Sequence, residues 1–525
     1  MSSNIKETRM QKKGVAKLGQ WLANISAGKT SDYNYHRSNP ASWDVPATSK
    51  WIFNNVNIVD VDNGHIFHEK AILIDGNRFG PRLEPDDVET LSDKRKIKKV
   101  IDGKGQFLIP GMSDLHCHLS LISEYKVSLS ELHYFDAQRM KNCENALSKG
   151  CTTVRDSGGA YDMVHGLKTE IDRDRLLGPR ILPSYTVLTP SGGMWDVNPL
   201  VNKMAEAIFG GKLVNYPKSI QDISHHVNSA IALGADSIKL FLEEKPLYGC
   251  AEDTIYKMFT DEEMDYVRKL ADENEKLVES HAMFIRGARK AIRGKVNSIA
   301  HMTVDEPYAM EDATLMARNN VAIIPTLGVG SYLAMDCGTK GFPGHPEYRF
   351  FRNMLKKYVK PNIEQFTIPQ LRQAYLNFYD FIQASIEDRK MPNVGAVYPK
   401  RCHGFGVNAP QSFENFRKAG TRVGVGTDGG TGTCFAGALD IEFESYLHYG
   451  YSPKEIIRMA TLGNMEIIGK DRQMGSITEG KLADMLLIKE NPFENIMSAT
   501  APIKVFKEGR CYIDTGLGSN FAHRY

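Results

Sequence analysis

Two blocks of period-two hydrophobic alternation, one near each end of the chain, require the two ends to fold together. The first runs WIFNNVNIVDVDNG, KAILIDGNRF and KKVIDGKGQFLIPG from Trp51; the second is GSITEGKLADMLLIKENPF followed by IKVFKEGRCYID. Short alternating runs broken by Asn-Gly, Asp-Gly and Gly-x-Gly turns are the pattern of an antiparallel sheet. A sheet shared by both ends predicts a small β-sandwich domain, with everything between the two blocks as an insertion into it.

The insertion alternates strand and helix signals. Strands are predicted at Phe107–Leu115, Thr152–Asp156, Arg180–Leu188, Ser237–Phe241, Leu277–His281, Ser298–Met302, Val321–Leu327 and Arg422–Thr427. Helical stretches such as SELHYFDAQRMKNCENALSKG and DEEMDYVRKLADENEK separate most of them. Eight such alternations predict an α/β fold, a (β/α)8 TIM-type barrel. The expected division is an arm over residues 1–48, a β-sandwich from 49–106 plus 474–525, and a barrel over 107–473. The segment 328–421 is long for a βα connection. Its two amphipathic runs, RFFRNMLKKYVK and LRQAYLNFYDFIQASIEDRK, predict a helical lid or an oligomer contact over the barrel mouth.

In a barrel of this kind the chemistry lies at the C-terminal ends of the strands, and there the polar residues gather. LIPGMSDLHCH ends on His116 and His118, which point the same way if the segment is extended. His281 closes LVESHA, His301 closes SIAHM, and Asp428 follows RVGVGT. Each taken singly has a plainer reading: a hydrogen-bonded core histidine, or a helix cap for Asp428 in TDGGTG. Together they form a set of metal-ligand types at separate strand ends. Lys239, inside the apolar strand GADSIKLF, reads as an ion-paired or snorkelling lysine, or as a lysine carbamylated by CO2 into a bridging carboxylate. His133, His165, His225, His226 and His403 lack such placement and read as surface or packing residues. The Gly192-Gly193 pair in LTPSGGMWD is either a pocket wall or a simple turn.

Composition narrows the class. The net charge of +2 over 525 residues gives no electrostatic reason to expect nucleic-acid or membrane partners. No apolar run approaches the ~18 residues of a membrane span, and the polar start MSSNIKETRMQKKG lacks the apolar core of a secretory signal. Eight cysteines without a C-x-x-C pair read as reduced thiols of a cytoplasmic protein.

The ordered series FLIPGMSDLHCH, KGCTTVRDSGG, GPRIL, GADSIKLF, ESHA, IAHM, GTDGG and EIIRMATLGNMEIIGKDRQMGSITEGKLADMLLIKENP resembles the amidohydrolase superfamily. The likeness is to its imidazolonepropionase-related branch, with Xaa-Pro and Xaa-Arg/Lys metallodipeptidases and ochratoxin-hydrolysing amidases. It implies a binuclear site, most often zinc. His116, His118 and Asp428 would hold one ion, His281 and His301 the second, and a CO2-derived carbamate on Lys239 would bridge them. The implied reaction is hydrolysis of a peptide or N-acyl amino acid amide by a metal-bridging hydroxide, with Asp428 as the proton carrier. The implied substrate is a small amide or dipeptide, and the implied assembly a homo-oligomer. Two departures fall where substrate would be read. Gly193-Met194-Trp195 replaces a Gly-Gly-His, and FLEEKPLYGCAEDTIY, with Tyr248 as a pocket candidate, replaces a glycine-rich segment. Gly193 and Met194 are the other pocket candidates. Alternative readings are a mononuclear cyclic-amidine or imidazolone hydrolase or deaminase, with Glu279 or another carboxylate as acid/base, and a non-catalytic scaffold that kept the barrel.

Overall fold

The computed structural model describes residues 50–94, 97, 99–122, 134–196, 203, 206, 211–245, 255–329, 346–388 and 404–515. The predicted arm over 1–48 lies outside them. Near the start, β1 (Lys50–Asp60), β2 (His65–Asp75) and β3 (Arg78–Leu83) form an antiparallel meander, and β4 (Lys99–Pro110) pairs with the free edge of β1. That last pairing is parallel, a departure from the all-antiparallel expectation. It follows from the crossover helix Asp87–Lys94, which carries the chain back across β1 and β2.

Among the described residues, nine parallel strands follow in two groups. The first is β5 (Met112–Cys117), β6 (Cys151–Asp156) and β7 (Arg180–Pro183). The second is β8 (Val187–Leu188), β9 (Val214–Asn215), β10 (Ser237–Phe241), β11 (Leu277–His281), β12 (Ser298–Ala300) and β13 (Ala322–Ile324). The predicted first strand, Phe107–Leu115, is cut at Pro110-Gly111: its first half belongs to β4 and its second to β5. The predicted Arg422–Thr427 strand carries a single isolated bridge at Val423, with another at Gly429 just beyond it, yet this stretch joins the two groups. Ile323 donates to the Arg422 carbonyl at 2.9 Å, Leu115 to Val425 at 2.9 Å, and Asp428 to His116 at 2.7 Å. Gly426 is required there, since a Cβ would stand 2.7 Å from the His116 backbone nitrogen. On the far side, Asp236 at the foot of β10 donates to the Pro183 carbonyl at 2.7 Å.

The chain closes with β14 (Met485–Ile488), β15 (Lys504–Lys507) and β16 (Arg510–Asp514), which extend the first sheet from β4. Both ends therefore meet in one seven-stranded mixed sheet. One face of β1 packs Trp51 and Phe53 against Phe506; the other, through Ile52, meets Leu73 and the helix residue Val88.

Helices cover the parallel strands, and their starts carry caps legible in sequence. Ser219 accepts from Asp222, and Thr260 with Glu263 forms a capping box. Within the predicted insertion, helices Pro346–Met354, Lys360–Phe366 and Pro369–Asp388 are present, with a π-turn at Leu355–Val359. They dock on the Phe135–Ser148 helix, where Gln138 both donates to the Phe366 carbonyl and accepts from Ile368, each at 2.9 Å. Phe366 also packs on Phe435, seven residues beyond Asp428. Among the described residues no helix is long and apolar enough to cross a membrane.

Candidate metal centre

The strand ends bring five of the six predicted ligand residues into one ring-to-ring cluster around Asp428. His116 and His118 stand nearly perpendicular with centroids 5.3 Å apart; His116 lies 4.9 Å from His301, and His301 4.5 Å from His281. Asp428 Oδ1 is 3.4 Å from His116 Nε2 and 3.2 Å from His118 Nε2. Both Asp428 and His301 hold positive φ (55° and 77°), a conformation that costs a non-glycine residue about 1–3 kcal/mol and persists where function requires the aim it gives.

Outer contacts fix the rings. The His118 Nδ1–H donates to the Gly158 carbonyl at 2.7 Å, leaving Nε2 toward Asp428. His301 Nδ1 meets Thr326 Oγ1 at 2.7 Å, and that hydroxyl itself donates to the Pro325 carbonyl, so Nδ1 carries the proton and Nε2 the lone pair. Behind them, buried Asp114 accepts from the Thr427 hydroxyl and from the Thr427 and Gly437 amides, tying the Asp428 loop to the first strand end.

Lys239, the sixth residue, is buried in β10 with Nζ 3.4 Å from His116 Nδ1 and 3.9 Å from Glu279 Oε2. Burial first, against a partly opposing pull from Glu279, brings its pKa down to about 8. Burial also lowers His116, His281 and His301 far below the usual imidazole range, leaving the neutral form that ligates a metal. For Asp428, burial acts upward but His116 and His118 outweigh it and hold the carboxylate ionised.

Glu279 is placed differently from a proton shuttle. It accepts from the hydroxyls of Ser157, Ser184 and Ser237 at 2.9, 2.7 and 3.1 Å and meets Arg155 at 3.1 Å. Burial raises its pKa, but Arg155 and then Lys239 bring it to about 2. It is a fixed counter-charge.

The residues fit a divalent cation. His116, His301 and Asp428 offer ligand atoms all within 4.8 Å of one another. Bonds of about 2.0–2.1 Å in a tetrahedral shell put neighbouring ligand atoms roughly 3.3 Å apart, and the Asp428 contacts at 3.2 and 3.4 Å match that edge. His281 Nε2 is buried with no hydrogen-bond partner among the described residues, which a cation would satisfy.

Of the expected pocket residues, Tyr248 lies outside the described residues. Gly193 closes a tight turn on the Pro190 carbonyl, where a Cβ would meet Thr189 Oγ1 at 2.3 Å, and Met194 is buried in the core. His165 stacks on Tyr161, and His225 and His226 lie against each other on one helix, away from the cluster. His133 and His403 are outside the described residues. Sequence reasoning missed Glu243 and Arg155. Glu243 is four residues beyond Lys239, continuing the side alternation of its strand, and that spacing was the available signal.

Comparison with known proteins adds the family. A profile described as "Amidohydrolase family" matches residues 107–348 and 392–511. The chain is similar to ochratoxinase of Aspergillus niger, 21% identical over 436 residues, covering 78% of this chain and 76% of that one. It is also 30% identical over 115 residues to imidazolonepropionase of Symbiobacterium thermophilum, covering 21% and 27% of the two chains. A solved Xaa-Pro dipeptidase with bound methionine in the active site superposes with a TM-score of 0.64 at 21% identity, over 88% of this chain and all 100% of that one, so the TIM-like α/β fold is shared. The chain belongs to the amidohydrolase family and is a hydrolase acting on C–N bonds.

Proposed function

We propose that the protein is a binuclear metallo-amidase that hydrolyses a dipeptide or N-acyl amino acid. His116, His118 and Asp428 would hold one ion, His281 and His301 the other, with carbamylated Lys239 between them. The observation that carries this reading is Lys239 itself, a buried amine 3.4 Å from His116 in the midst of the cluster. A lone buried ammonium is costly, and the lowered pKa near 8 leaves the amine free to add CO2. Two bound divalent ions supply an acidified water and a polarised carbonyl.

The chain's own residues do the rest. Asp428, beside both strand-end histidines, takes the proton of the attacking water and passes it to the departing amine nitrogen as the C–N bond breaks. Glu279 and Arg155 hold the charge beneath Lys239 in place. The hydrogen bonds joining 422–429 to β13 and β5, and β10 to β7, support closure of the parallel strands into a (β/α)8 barrel. The sheet domain (49–106 with 474–525) then flanks a barrel over 107–473. The insertion's contact with Phe435 supports a lid role for it.

Relatives support the substrate class by their names, an ochratoxinase and an Xaa-Pro dipeptidase. Zinc-loaded enzyme is expected to release free amino acid from a panel of dipeptides and N-acyl amino acids. Activity confined to cyclic amidines or to deamination would reject the reading.

A further inference from the structure

Glu243 is a buried carboxylate that the family pattern does not require. β10 and β11 run parallel with Phe241 opposite His281, and Leu242 donates to the His281 carbonyl at 3.0 Å. That register carries the residue two beyond Phe241 to the side of the His281 ring. Glu243 is 1% exposed and His281 8%. Glu243 Oε1 accepts from the Met283 amide and lies 3.2 Å from His281 Nε2.

At that distance a hydrogen bond is expected, yet none forms. His281 Nε2 has no hydrogen-bond partner among the described residues, and neither does the second oxygen, Glu243 Oε2. A buried imidazole nitrogen without a partner, beside a buried carboxylate that still has one oxygen unused, has the disposition of neighbouring metal ligands. The 3.2 Å between Glu243 Oε1 and His281 Nε2 equals that between Asp428 Oδ1 and His118 Nε2. A buried carboxylate oxygen left without a partner would otherwise carry a desolvation cost.

We infer that Glu243 is an additional ligand of the ion held by His281, a proposal that rests on the binuclear reading above. A carboxylate oxygen at this position adds a hard, anionic donor to an imidazole set and tilts the second site toward manganese relative to zinc.

The test is metal binding by apo-protein, carried out with Zn2+ and Mn2+ separately in bicarbonate buffer, on the parent and on Glu243→Gln. Glutamine keeps an acceptor for the Met283 amide; Glu243→Asp and a thermal melt serve as folding controls. Co2+ absorption spectra report the ligand field directly. The expected result is two ions in the parent. In Glu243→Gln the first ion should bind as before and the second at least about 10-fold more weakly, with a larger loss for Mn2+ than for Zn2+ and an altered Co2+ spectrum. Two ions at parental affinity with an unchanged spectrum would overturn the role of Glu243 and leave the binuclear reading standing. Equal weakening of both metals with an unchanged spectrum would also overturn it, as a purely structural effect. A single ion in the parent would overturn both.

Discussion

Lys239 Nζ lies 3.4 Å from His116 Nδ1, with both side chains enclosed by the strands that carry them. An ammonium beside an imidazole, with its nearest carboxylate 3.9 Å away, is poorly compensated. Burial therefore brings the lysine to about 8. At pH 7.5 that makes about a quarter of the amine neutral, against about one part in a thousand for an ordinary lysine.

Only the neutral amine adds CO2, losing a proton as the carbamate forms. Metal uptake by apo-protein should thus need dissolved CO2, and at constant CO2 concentration its rate should climb with pH up to about 8 and then level off. Reconstitution in CO2-depleted and in 13C-bicarbonate buffer, with carbamate followed by 13C NMR, measures this. Equal uptake in both buffers would contradict it.

Asp428 is the proton carrier in this account, so Asp428→Asn should lower kcat by roughly 10²–10⁴-fold. Steady-state hydrolysis of the best substrate from the amide panel checks it, alongside metal content. A fall of less than about threefold with metal retained would assign the proton transfer elsewhere.

Much of this centre was legible in the sequence. Strand ends and ligand types coincided at His116, His118, His281, His301 and Asp428, because side-chain alternation and the shared direction of parallel strands act locally. What escaped depended on partners distant in the chain. Arg155 reads as an ordinary charge in TTVRDSGG until the packing of β6 brings it under Glu279. Glu279 read as a possible acid until three serines from three different segments proved to surround it. The parallel β1–β4 pairing depends on a crossover that period-two patterning cannot reveal. Arg422–Thr427 reads as a strand because of its valines, but among the described residues it pairs through an isolated bridge at Val423, with a second at Gly429 just beyond.

The Arg155–Glu279 pair is wholly buried, and removing one partner strands the other. Arg155→Met should lower stability by about 3–5 kcal/mol, measured by chemical denaturation of the metal-free protein. A loss below about 1 kcal/mol would mean that the serine hydroxyls alone stabilise the carboxylate.

Lys507 gives a test of pH-linked stability away from the metal centre. Its ammonium donates to the Gly178 carbonyl at 2.8 Å, between the terminal sheet and the parallel strands. Burial, reinforced by Arg180, lowers its pKa from 10.5 to about 8. Between those two values the unfolded chain keeps a proton that the folded chain has lost, so stability from this group rises with pH across that window. The full gain is at most on the order of 3 kcal/mol. Thermal melts of the parent and Lys507→Met at pH 7 and pH 10 should show the variant losing ground to the parent as pH rises. A constant difference would contradict the shift.

The most direct measurement is metal per chain by elemental analysis, on the parent and Lys239→Ala, both prepared with bicarbonate and excess Zn2+. The binuclear account predicts about two ions in the parent, with metal and amidase activity falling together in Lys239→Ala. One ion in both proteins, or two in both, would contradict a lysine-bridged pair.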